Sequence, residues 1–219
     1  MESKHLRFKH PFTCMVCGPT SSGKTYLVRK LLQYHEDVCH QLPSNRILWC
    51  YGQWQCLYKE SLSNVAVKYM EGLPDADKLA ELKPALVVID DLMTELADDK
   101  RMTNLFTKGS HHMGISVIFI VQNLFYRAKE MRTISCNTNY FVLLKNPRDK
   151  LQIECLGRQM YPRNKGFFGE CYQDATNSPF GYLIVDCRSD TPDNLRLRTN
   201  IFPCEDIKGR FRPIVYTPI

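Results

Sequence analysis

The residues Gly18-Pro-Thr-Ser-Ser-Gly-Lys-Thr25 constrain this chain more than any other stretch. They fit G-x-x-x-x-G-K-[ST] at every fixed position, and both flanks fit the same pattern. Phe12-Thr13-Cys14-Met15-Val16-Cys17 is apolar apart from Thr13 and reads as a buried strand. Downstream, Leu27 with Leu31 and Val28 with Leu32 repeat at the spacing of one helix face. Between a strand and a helix, the backbone N–H groups of residues 19–25 can curl around a polyphosphate, with the positive end of the helix dipole behind them. Lys24 then reaches the terminal phosphates, and the Thr25 hydroxyl ligates Mg²⁺. Gly18 and Gly23 stand where a side chain would block the phosphate or strain the backbone. Pro19, Thr20, Ser21 and Ser22 complete the binding loop. The plain alternative is an ordinary glycine-bearing turn.

The chain has 219 residues, 44% of them apolar, which is enough for one large domain with a full core. No apolar run approaches the roughly eighteen residues of a membrane span. Met1 to His5 lacks the apolar region of a signal peptide, so a reducing, intracellular setting is expected for the ten cysteines. Cys14 and Cys17 have C-x-x-C spacing, but a strand turns two such thiols to opposite faces, and buried free thiols are expected. The formal net charge of +6 mildly favours an anionic partner. Residues 1–11 form a basic arm (Lys4, His5, Arg7, Lys9, His10) closed by Pro11. Residues 12–202 form the main domain. Residues 203–219, with Lys208, Arg210 and Arg212 among prolines, form an extended tail free to lie on a neighbour.

A second landmark is Ala85-Leu-Val-Val-Ile-Asp90-Asp91. An apolar run ending in a carboxylate describes a buried parallel strand that delivers Asp90 to the site, where it holds the Mg²⁺ shell together with Thr25. In motor-type P-loop enzymes a second carboxylate here polarises the attacking water. Most use Glu; this chain has Asp91, with a shorter reach. Glu95 is the alternative if a helix starts there, and Asp91 could instead cap that helix. Ile115 to Val121 is a further buried strand, and Gln122 at its end suits a sensor that hydrogen-bonds the γ-phosphate and the water. A turn cap is the alternative for Gln122. Arg132 and Arg148 follow on the side of the sheet where ligands bind, and both are candidates for a finger acting on a neighbouring subunit's phosphate.

Other segments read as ordinary structure. Arg46 to Tyr51, Tyr140 to Leu144 and Tyr182 to Asp186 are strands, and Val65 to Met70 is a short edge strand. Pro74 to Leu82 is a short helix with Asp75 near its start; Leu96 to Gly109, Asp149 to Gln159 and Phe167 to Ala175 are also helical. Trp54 could stack on a base or cover the core's edge. His111 and His112 lack the further ligands of a zinc site. Leu195 to Phe202 alternates Leu and Arg, which predicts a strand with Arg196 and Arg198 on one exposed face.

The glycine loop, the strand Val87-Val-Ile-Asp-Asp-Leu-Met93 and the block from Leu105 to Phe125 occur in that order. With Arg132-Thr-Ile-Ser, Lys145-Asn-Pro-Arg-Asp149 and Tyr182-Leu-Ile-Val-Asp186, they resemble the additional-strand class of P-loop ATPases. Within it, the chain is similar to the FtsK/HerA superfamily, nearest to the poxvirus-type genome-packaging ATPases, as in Polinton/Maverick elements, adintoviruses and virophages. The resemblance runs from about residue 10 to 202. It implies a RecA-like α/β fold with a mostly parallel sheet in strand order 5-1-4-3-2, flanked by helices, and a C-terminal β extension. It also implies ATP and Mg²⁺ as cofactors, and a homo-oligomeric ring, pentamer or hexamer, that drives double-stranded DNA into a capsid. A capsid or portal-site protein is then a partner, in the host cytoplasm or nucleus or with the virion. A small-substrate kinase, a helicase or AAA-type DNA loader and a nucleotide-dependent scaffold stay open. A kinase would want an acceptor site and lid, a loader a C-terminal helical lid, and a scaffold would not turn ATP over.

Overall fold

The computed structural model describes residues 5–92, 99–110, 113–125, 129–164, 166–206 and 208–218. Lys4, Glu95, His111 and His112 lie outside the described residues. The strands are β1 (Phe8–Lys9), β2 (Thr13–Cys17), β3 (Cys39–His40), β4 (Ile47–Tyr51), β5 (Val67–Glu71), β6 (Leu86–Asp90), β7 (Ser116–Val121), β8 (Tyr140–Leu144), β9 (Tyr182–Asp186), β10 (Leu197–Thr199) and β11 (Ile214–Tyr216). The helices are α1 (Lys24–Gln33), α2 (His35–Val38), α3 (Ala76–Leu82), α4 (Lys100–Asn104), α5 (Lys129–Cys136), α6 (Lys150–Met160) and α7 (Phe167–Ala175). A π-helical turn, Leu105–Gly109, extends α4.

Apolar runs long enough to be buried on both faces become central parallel strands. The main sheet has the order β11-β10-β9-β8-β2-β7-β6-β4-β5. Its middle, β8-β2-β7-β6-β4, is parallel throughout, and β5 continues it as a parallel edge strand. Counted along the chain, those five middle strands run 5-1-4-3-2, as the resemblance implies. The strand β7 stands between the loop strand β2 and the acid-ended strand β6. On the other side β9, β10 and β11 add antiparallel strands, the expected C-terminal β extension. Asp75 caps α3 by accepting from Lys78 N at 2.8 Å, the start signal read from the sequence.

The pleat divides the core between two faces. Met15, Cys17, Val87, Ile89 and Phe119 pack on one side, with α6 and α7 contributing Ile153, Leu156 and Phe168. Cys14, Val16, Trp49, Val88 and Ile118 pack on the other, against Leu27, Leu31 and Leu32 of α1. Cys14 and Cys17 thus separate onto opposite faces. All ten cysteines are free. Burial pushes the Cys17 and Cys50 thiols up to about 12, so neither is a ready nucleophile.

Two expectations need correction. Residues 195–202 are not one strand: Asp193–Leu195 is a 3-10 turn and the strand is confined to Leu197–Thr199. Arg198 is fully buried rather than exposed, and its Nη1 pairs with Asp186 Oδ2 at 3.1 Å, also in the interior. The guanidinium lies over the Tyr140 ring. The reason is the N-terminal segment. Phe8 and Phe12 pack on Tyr140, with ring centroids at 4.7 and 5.8 Å, and cover the face that the alternation assigned to water. Strand β1 pairs with β3, and Lys9 Nζ reaches Asp190 at 2.6 Å. Arg196 is half-buried and donates to the Asp186 and Arg188 carbonyls at 3.1 and 2.8 Å. At the other end, β11 joins the chain's own sheet, and the Tyr216 hydroxyl donates to Asp174 at 2.5 Å.

Candidate nucleotide site

Strand register brings the site together. Cys17 is level with Val121, Asp90 with Ile120, and Tyr51 with Asp90. The residues that follow these strands, Gly18, Asp91, Gln122 and Gly52, therefore leave the sheet at one edge. That edge is the carboxyl end of the parallel strands, where open α/β sheets bind ligands.

The loop has the backbone of an anion cradle. Ser21 (φ 64) and Gly23 (φ 92) are both left-handed, which turns successive N–H groups inward. Ser22 N donates to Pro19 O at 3.2 Å, and Gly18 N ties the loop to β7 through Val121 O at 3.3 Å. Helix α1 then starts at Lys24 with Gly23 as its N-cap. Lys24 Nζ folds back on the loop and donates to Gly18 O at 2.7 Å and Pro19 O at 2.8 Å. Burial holds its ammonium below the usual lysine range.

Asp90 is almost fully buried at the end of β6. Its Oδ2 accepts from Thr25 Oγ1 at 3.0 Å and from the Tyr58 hydroxyl at 2.8 Å. Burial raises its carboxyl above the ordinary aspartate range, and the two hydrogen bonds work against that rise. Asp91 is exposed and left-handed at φ 57. Gly52 makes this turn possible: a Cβ there would sit 2.4 Å from the Asp91 carbonyl oxygen. Whether Asp91 caps a helix, and where Glu95 stands, falls on residues 93–98, outside the described set. Gln122 is exposed at the end of β7. Thr20, Ser21, Gly23, Lys24, Thr25, Asp90, Asp91 and Gln122 line one cleft of about 480 Å³.

Arg132 and Arg148 are not in that cleft. Arg132 is exposed on α5. Arg148 is exposed in the turn before α6, where Asn146 Oδ1 accepts from Arg148 N at 3.1 Å and Asp149 N at 3.2 Å. Conversely, Gln55, Leu57 and Tyr58 belong to the site and were missed. They lie in a loop without periodicity, and the Tyr58–Asp90 bond spans two segments far apart in the chain. Trp54, half exposed, meets Tyr51, Tyr58 and Tyr69 edge-on at 5.2 to 5.6 Å, so it covers the edge of an aromatic cluster beside the site.

These residues fit a magnesium–triphosphate complex. Ser22 Oγ is buried with no hydrogen-bond partner among the described residues. The Lys24 ammonium is held by two carbonyls that phosphate oxygens can replace. Thr25 and Asp90 are already oriented on one another, one hydroxyl and one carboxylate, the donor set Mg²⁺ takes in such loops. Ionised Asp90 is costly to keep without a cation. Because its folded pKa is raised, its favourable contribution exists below the ordinary aspartate pKa and is lost as pH rises through the folded value. Asp90→Asn is therefore expected to melt higher than wild type at pH 7 without metal. The gap should close on acidification below about pH 4. Scanning calorimetry across pH checks this.

Loop, acids, amide and strand order together define a RecA-like P-loop NTPase fold. Two solved structures of the genome packaging NTPase B204 from Sulfolobus turreted icosahedral virus 2 share it over nearly their whole length. The complex with ATP-gammaS aligns with a TM-score of 0.53 at 14% identity, covering 95% of this chain and 98% of that one. The complex with sulfate aligns with a TM-score of 0.51 at 14% identity, covering 95% and 97%. At this identity the likeness is one of fold. No protein-family model and no curated protein matches the chain.

Proposed function

We propose that this chain is an ATP-hydrolysing motor that moves double-stranded DNA into a capsid, a member of the FtsK/HerA superfamily close to the poxvirus-type packaging ATPases. The observation that carries the reading is the convergence of Lys24, Thr25, Asp90, Asp91 and Gln122 on one cleft. The fold shared end to end with a viral genome packaging NTPase supports it. After α7 the chain continues as β9 to β11, which speaks against a loader with a C-terminal helical lid.

In this reading Lys24 exchanges its loop carbonyls for phosphate oxygens. Thr25 and Asp90 would hold Mg²⁺, which supplies charge neutralisation on the phosphates when bound. Asp91 accepts a proton from the attacking water. The Gln122 amide holds that water in line and senses the γ-phosphate. Tyr58 keeps one lone pair of Asp90 oriented. Arg132 and Arg148 face solvent outside their own cleft, which suits a finger presented to the next subunit of a pentameric or hexameric ring. The ring would pass the DNA and dock on a capsid or portal-site protein, inside the host cell or with the virion.

The test is steady-state ATP hydrolysis with and without duplex DNA. Turnover is expected to rise several-fold with DNA, by completion of trans sites between subunits. Transfer of phosphate to a small acceptor, with no response to DNA, would remove the motor reading.

A further inference from the structure

Gln122 stands between two anchors. Before it, Val121 ends β7, and its carbonyl accepts from Gly18 N at 3.3 Å, which fastens the strand end to the phosphate loop. After it, Leu124 N and Phe125 N both donate to a single side-chain oxygen, Gln152 Oε1, at 2.6 and 3.2 Å. Only Gln122 and Asn123 span the gap. The first anchor is backbone in a parallel sheet; the second is one half-buried side chain on the first turn of α6. Where the Gln122 amide stands over the cleft therefore depends on Gln152.

The Gln152 amide is itself fixed in one sense. Its Nε2 donates to Asp149 Oδ2, and a carboxylate only accepts, so Oε1 is left to face the two loop N–H groups. Asp149 is the N-cap of α6 and also accepts from Gln152 N at 3.3 Å. The turn beneath it is braced from the next helix. Asn146 N donates to the Tyr172 hydroxyl at 2.9 Å, and that hydroxyl donates to Leu144 O at 2.9 Å. Asn146 and Asp149 thus form a rigid base, and the order Asp149, Gln152, loop is a chain of acceptor and donor with one direction.

We infer that Gln152 is a positioning residue for hydrolysis, setting where the Gln122 amide stands against a bound γ-phosphate. The inference rests on the reading of Gln122 as the sensor of a triphosphate site. Steady-state ATP hydrolysis and ATP affinity, measured with Mg²⁺ on the full chain, test it. Gln152→Ala is expected to lower kcat about ten-fold or more, the cost of displacing a group that acts at the reacting centre, and to leave affinity within about three-fold of wild type. Two further single changes and their combination separate positioning from plain loss of stability. Gln152→Glu sets carboxylate against carboxylate. Asp149→Asn keeps an N-cap oxygen for α6 but leaves donor facing donor at one end of the Gln152 amide or the other. Each should lose kcat as Gln152→Ala does. Together they reverse donor and acceptor in the link, keep the net charge and still offer the loop an oxygen, so the pair should regain kcat to within about three-fold of wild type. The inference is overturned if Gln152→Ala keeps wild-type kcat, if it loses affinity and not kcat, or if the pair loses at least as much as the worse single change. Gln122→Ala that hydrolyses ATP at the wild-type rate would overturn the sensor reading itself, whatever the Gln152 variants do.

Discussion

Lys24→Ala is expected to lower ATP turnover by about 10²–10³-fold, the cost of removing one preorganised charge from a developing anion. The ammonium rests 2.7 and 2.8 Å from two loop carbonyls, already inside the cleft and partly desolvated. It therefore needs little reorganisation to reach a phosphate, and its burial becomes favourable once that anion is present. Affinity for the nucleotide should fall as well, since the same contact acts before and during the reaction. The fold should hold, because alanine removes a partly buried charge and extends a helix start. Unchanged turnover would mean that the loop does not carry the reaction.

Breaking the Arg198–Asp186 pair is expected to be the most damaging single change to stability. Both side chains are fully buried and 3.1 Å apart. Removing one partner of such a pair leaves the other charge unpaired in the interior, at a cost of about 3–5 kcal/mol. In Asp186→Asn the amide oxygen can still accept from Arg188 N, as Asp186 Oδ1 does at 3.1 Å, so the loss falls on Arg198, which would face a donor instead of a carboxylate oxygen. Replacing both residues by apolar ones of similar volume should cost less than either single change. Urea unfolding of the two singles and the double separates these outcomes. Equal stability of Asp186→Asn and wild type would contradict the account of how β9, β10 and the N-terminal segment are joined.

The convergence of the candidate residues on one cleft was legible in the sequence because its parts are local signals. An apolar strand run into a glycine loop, another into paired acids and a third into an amide each announce one end of a parallel strand. The common edge then follows from the register of parallel pairing. Arg198 was misread for a complementary reason. Alternation says which side chains share a face, but not what covers that face. Phe8 and Phe12, far away in the chain, cover it. Tyr58 carries no periodic or motif signal, and its bond to Asp90 exists only after β4, β6 and the intervening loop are assembled. Arg132 and Arg148 are legible as basic residues near the right edge. A role across a subunit boundary leaves no mark within one chain.

The central claim is that the paired acids at the end of β6 act on a triphosphate held by the loop after β2. Single-turnover cleavage of ATP by Asp91→Asn, with nucleotide affinity measured on the same protein, addresses it most directly. Affinity should stay within about three-fold of wild type, because Asp91 acts on water rather than on the bound nucleotide. Cleavage should slow by about 10²-fold or more, the loss expected for a general base. Cleavage at the wild-type rate would contradict the claim.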